Sequence, residues 1–151
     1  MIRPAMIEPP AVFTLEEVNA LVPRLNAHIG AQMSRRTDIE QRLARLSERI
    51  GGVPEAIRLE DTDPPDVHAM KEELLGRVEE YQTAWRQLEE LGAVLKDARL
   101  GLLDFYGRVD GTLVWLCWKF GEDAVTHYHA LDEGFAGRKP IQPMMRNRHL
   151  N

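Results

Sequence analysis

Acids, histidines and the single cysteine crowd one stretch of this chain: Asp104, Asp110, Glu122, Asp123, His127, His129, Asp132 and Glu133, with Cys117 among them. Two imidazoles beside carboxylates suit a divalent metal such as zinc or non-haem iron, the carboxylates ligating it or orienting the rings. In an extended segment residues two apart share a face, so His127 and His129 project together. Asp110-Gly111 is a strong hairpin signal. With those two as the turn, Asp104 stands opposite Cys117 and shares a face with Tyr106, Trp115 and Lys119. His129 joins that face or leaves it according to the next loop, because a one-residue change in length flips every side chain. The expected metal ligands are Asp104, Glu122 and His129. Plainer roles compete with these: an Asp104–Lys119 ion pair, a hydrogen-bonded structural His129, Glu122 as a turn carboxylate, and Cys117 as a small buried hydrophobe.

A second candidate is Gly134-Phe135-Ala136-Gly137-Arg138, whose amides and Arg138 guanidinium could surround an anion. It lacks the preceding strand and the Lys-Ser/Thr of a phosphate loop and does not fit the dinucleotide fingerprint. Its plain role is a glycine-shaped loop that docks Phe135 on the core. No nucleophile elbow points to acyl transfer and no paired cysteines point to thiol exchange.

These residues need a scaffold, and the pattern predicts one. Residues 102–106 and 112–120 are rich in β-branched, aromatic and aliphatic side chains, and Gly121-Glu122-Asp123 marks a further turn before a strand at 125–129. The residues from Gly107 to Gly111 separate the first two strands, so an antiparallel meander is expected over 93–130, followed by a loop and basic tail over 131–151 carrying Lys139, Arg146 and Arg148. Upstream, Thr14-Leu15-Glu16-Glu17 matches a capping box. From it Val18, Val22, Leu25, Ile29, Gln32, Arg36, Ile39, Leu43, Leu46 and Ile50 recur at steps of three and four. This predicts a helix over 13–50, a rod roughly 54 Å long, kinked near Pro23 and stopped by Gly51-Gly52. The adjacent polar seam residues Gln32 and Arg36 are expected to fix register. A Pro-rich connector fills 51–66, with a short turn near 55–59 and Asp66 as the next N-cap. A second helix over 67–91 carries Val67, Met70, Leu74, Val78, Tyr81, Trp85 and Leu88, and Gly92 ends it.

The expected fold is a single α+β domain, mostly α: a long antiparallel two-helix hairpin followed by a small meander. Apolar stripes of that length are an aggregation hazard when uncovered, so the hairpins are expected to pair as a homodimer in a four-helix bundle. The 151 residues, 44% hydrophobic and 28% charged, are enough for a core without staples, and one cysteine makes no internal disulfide. The patternless, Pro-rich residues 1–12 lack the apolar run of a signal peptide and no segment reaches a membrane span, so the expected address is the cytoplasm. A net charge of -5 argues against nucleic acid or anionic lipid as partner.

The segments Phe13 to Pro23, Leu95-Lys96-Asp97, Gly101 to Phe105, Leu116 to Glu122 and Gly134 to Pro140 together resemble a bacterial family termed domain of unknown function 2203. The resemblance runs from Phe13 to about Ile141, with small departures at Val18, Tyr106 and His127. It implies a shared architecture and no particular activity. The leading functional expectation is thus a dimeric structural or interaction module of the bacterial cytoplasm. The alternative is a metal-binding protein or small metal-dependent enzyme with its site in the meander.

Overall fold

A computed structural model describes residues 11–142 of the chain; most of the expected N-terminal arm, and Arg146 and Arg148 of the basic tail, lie outside the described residues. Two long helices, α1 (Leu15–Ile50) and α2 (Pro65–Glu90), precede five strands: β1 (Val94–Asp97), β2 (Leu102–Val109), β3 (Thr112–Lys119), β4 (His127–His129) and β5 (Lys139–Pro140). The strands form one antiparallel sheet in sequence order, so the architecture is the expected α+β. No described helix is long and apolar enough to cross a membrane. The chain divides into two compact units, one built from the described parts of Met1–Asn26 and Glu89–Asn151, the other from Ala27–Leu88.

The helical unit is an antiparallel hairpin. Leu46, Val67 and Leu74 form its buried cluster, with Ile39, Leu43, Ile57, Met70 and Val78 packed around them. Gln32 is buried, and its Nε2 donates to the Tyr81 carbonyl at 2.9 Å while its Oε1 accepts from Arg35. Such a bond between a buried amide and one backbone carbonyl fixes how the helices slide along each other. Arg36, the other polar seam residue, pairs instead with Glu40 on its own helix. Lys71, which the pattern places outside the seam, is buried and ties the connector down: its Nζ meets the Asp63 carboxylate at 2.9 Å and the Arg58 carbonyl at 2.8 Å. Asp66 is not the N-cap. The helix starts one residue earlier, at Pro65, where a missing amide is harmless, and Asp66 reaches Arg49 at 2.7 Å. The connector shows no helical turn at 55–59, and α1 runs unbroken through Pro23.

In the sheet unit the capping box forms as expected: the Glu17 amide donates to Thr14 Oγ1 at 3.1 Å and the Thr14 amide to Glu17 Oε1 at 2.8 Å. Asp110 and Gly111, at φ 52° and 78°, make the two-residue turn between β2 and β3. That turn sets the pairs Leu103↔Trp118, Asp104↔Cys117, Phe105↔Leu116 and Tyr106↔Trp115. One face carries Leu103, Phe105, Leu116 and Trp118, all buried, and Phe13 docks there edge-on against Phe105 at 5.3 Å. Two expectations change here. Lys139 and Pro140 pair with β4 rather than lying in a loop. Gly107 is a strand residue opposite Val114, not part of the turn, and glycine suits it because a Cβ there would lie 2.6 Å from Leu116 Cγ.

Gly107→Ala is therefore expected to cost about 1–3 kcal/mol by overpacking, and Leu116→Ala should absorb much of that cost. Chemical denaturation of the single and double variants checks this; strictly additive costs would remove the steric explanation.

Candidate functional site

The other face of the sheet holds the polar residues. Asp104 faces Cys117 across β2 and β3, and His129 pairs with Trp115 on β4, so all three lie on one side. Asp104, Cys117 and His129 are at most 2% exposed, and one potential ligand atom from each lies within 4.8 Å of the others. Two of the three expected ligands, Asp104 and His129, are thus brought together. Glu122 sits apart from it: its Oε1 accepts the Lys119 amide at 2.7 Å and its Oε2 lies 3.3 Å from Arg138. Cys117 completes the trio. The hairpin turn already put it opposite Asp104, and that register was the signal that could have included it.

His129 is held in one orientation. Its Nδ1 lies 3.0 Å from the Ala130 carbonyl, which can only accept, so Nδ1 carries a proton and donates it there. Its Nε2 points at Asp104 Oδ2, 2.9 Å away. The contact therefore holds one shared proton, on the imidazole or on the carboxyl. Burial raises the Asp104 carboxyl above its usual range, while the charges of His129 and Lys96 and hydrogen bonds from Cys117 and His129 work against that rise. Burial, reinforced by the Asp104 charge, pushes the Cys117 thiol up to about 12, although the Arg138 guanidinium beside it favours the thiolate. The metal-free thiol is accordingly a neutral group and a poor nucleophile. His127 lies opposite Cys117 with its Nδ1 against the Thr126 hydroxyl at 2.8 Å, and Asp123 and Asp132 are exposed.

The segment at 134–138 forms a single 3-10 turn, Phe135–Gly137. Two of its amides serve the turn itself, Gly137 donating to the Gly134 carbonyl and Arg138 to that of Phe135. Arg138 stacks on the Phe135 ring at 4.3 Å as well as pairing with Glu122. Phe135 is half-buried and, rather than docking on the core, lines a cavity of about 310 Å3 with Leu102, Lys96 and the three clustered residues. Lys96 reaches this face by alternation, two residues beyond Val94, which pairs with Asp104, and the bulge that follows sets Asp97 opposite Leu102 on the same face. Lys96 Nζ lies 4.1 Å above the Trp115 ring, whereas Lys119, the expected partner of Asp104, sits 5.8 Å from Phe135.

The raised thiol has a measurable consequence. Between the ordinary thiol range and about 12 the folded chain keeps a proton that the unfolded chain has lost, so stability falls as pH rises through that window. From this one group the slope approaches about 1.4 kcal/mol per pH unit. Denaturation of the wild type and Cys117→Ala at several alkaline pH values should show the steeper decline in the wild type; parallel declines would contradict the burial argument.

No curated protein and no solved structure matches the chain. Residues 11–141 match a family described as uncharacterized conserved protein (DUF2203), which is most of the chain and includes every strand above. The motifs that shape the site thus lie within the matched region, and the chain belongs to the DUF2203 family.

Proposed function

We propose that the chain binds a divalent transition metal, zinc or ferrous iron, through the Asp104 carboxylate, the Cys117 thiolate and His129 Nε2. The observation that carries this reading is the buried trio whose ligand atoms lie within 4.8 Å of one another. Ligand atoms around a tetrahedral zinc stand roughly 3.5 Å apart, so small side-chain rotations suffice. The His129 contact to the Ala130 carbonyl supports it further. Metal-bound histidines usually donate the second ring N–H to a carbonyl or carboxylate, which leaves the other nitrogen free to ligate. A mixed oxygen, nitrogen and sulfur donor set suits zinc or iron better than magnesium or calcium. All three residues line the cavity, so a fourth coordination position opens into it, the arrangement of a reactive rather than a purely structural site.

The dimeric-module reading is less supported than this one. It rested on long apolar stripes needing cover, yet Val18, Val22, Leu25, Ile29 and Leu46 of α1 are already buried within a single chain.

Metal binding must displace the proton shared by Asp104 and His129 and the thiol proton, so roughly two protons leave per metal and affinity rises with pH. Protein purified without a metal-affinity tag should contain stoichiometric zinc or iron, and titration of zinc into chelator-treated protein should release those protons. His129→Ala and Cys117→Ser should each lose the metal. Absence of bound metal together with no zinc-linked proton release would overturn the proposal.

A further inference from the structure

The cavity above the trio carries an uncommitted positive charge. Asp97 and Glu133, its two other ionisable wall residues, are engaged locally: Asp97 accepts the Leu100 amide at 2.9 Å, and Glu133 accepts the Ala130 amide at 3.2 Å and lies 4.0 Å from Lys139. Lys96 differs. Its ammonium is held over Trp115 and has no carboxylate within 4.0 Å among the described residues, yet it stands close enough to Asp104 for its charge to favour the ionised carboxylate. Leu102 and Phe135 supply an apolar wall. A cavity of about 310 Å3 lies at the small end of ligand pockets.

Resting on the metal-site reading, we infer that this cavity takes a small organic carboxylate. Its apolar part lies along Leu102 and Phe135, and its anionic oxygens meet the metal and the Lys96 ammonium. Two features argue for a carboxylate with an apolar body. A bare inorganic anion would leave the Leu102 and Phe135 wall in contact with water, and a neutral molecule would leave the Lys96 charge unanswered. Alternation along β1 aims Lys96 at the site: Val94 pairs with Asp104, so Lys96, two residues on, falls on the Asp104 face. Trp115 then holds the ammonium by cation–π attraction while leaving its N–H donors for an anion.

The test uses the full chain loaded with cobalt(II) in place of the native metal, with butyrate, acetate and inorganic phosphate as probes. A sulfur-to-cobalt charge-transfer band reports the metal site, and the d–d bands report a ligand entering the open position. Butyrate should change the d–d bands saturably and bind more tightly than acetate or phosphate. Lys96→Met, which keeps the stem over Trp115, should weaken butyrate about tenfold without weakening cobalt, and Lys96→Arg should restore most of the affinity. A charge-transfer band with d–d bands indifferent to butyrate, or a Lys96→Met variant that titrates like the wild type, would overturn the carboxylate site and leave the metal site standing. Tighter binding of phosphate than butyrate would overturn the carboxylate assignment. Absence of the charge-transfer band would overturn both.

Discussion

The contact between His129 Nε2 and Asp104 Oδ2 is the constraint around which the sheet is organised. Both side chains are almost wholly out of water, and a buried carboxyl or imidazole without a partner would cost several kcal/mol. Neither strand can shift by one residue without breaking that contact and turning its own group toward the apolar face. The same contact explains the chemistry of the trio. Burial lifts the Asp104 carboxyl and the Cys117 thiol together, so the metal-free site holds its protons and stays nearly neutral. A site in that state favours exchanging protons for a cation over nucleophilic attack by the thiol.

Holding His129 in place falls to residues outside the sheet. The connection from β3 to β4 is pinned by the first turns of α1: Asn26 accepts the Gly121 amide at 3.0 Å and donates to the Glu122 carbonyl at 3.2 Å, and Asn19 accepts the Val125 amide at 2.7 Å. The Glu122 carboxylate folds back on the amide of Lys119, and Trp118 Nε1 donates to the Glu122 carbonyl at 3.0 Å. Five bonds thus fix the length and path of one short loop, and that path decides on which face His129 emerges. Arg138 closes the far side by joining Glu122 to Phe135. Glu122 and Arg138, each singled out as a binder, serve as partners that shape the cavity.

The helical hairpin uses buried polar groups differently. Gln32 and Lys71 each satisfy a backbone carbonyl, and Lys71 also neutralises the Asp63 carboxylate. Their role is to set the axial position of α2 and the path of the connector. The surrounding pairs among Asp38, Arg42, Glu73 and Arg77 are partly exposed and contribute little individually. Buried polarity therefore specifies geometry in the helical unit, and in the sheet unit it also gathers three groups with ligand chemistry.

Local rules fix a good part of this structure. The capping box at Thr14, the glycine stops at Gly51 and Gly92, the two-residue turn at Asp110 and Gly111, and the opposition of Asp104 to Cys117 are all fixed by residues within a few positions of one another. Both helices were legible for the same reason, to within two residues at each end. Tertiary structure decided the rest, because the deciding contacts join residues far apart in the chain. The face of His129 depends on Asn19 and Asn26, more than ninety residues upstream of the loop they hold. The place of Asp97 in the cavity wall depends on a bulge, and the need for glycine at 107 depends on Leu116 packing over it. Lys71 is buried because a connector carboxylate and carbonyl meet it, which periodicity along one helix cannot reveal. The residue types for a metal site could be read in order along the chain, but which three of them meet was settled only by the loops that bring the strands together.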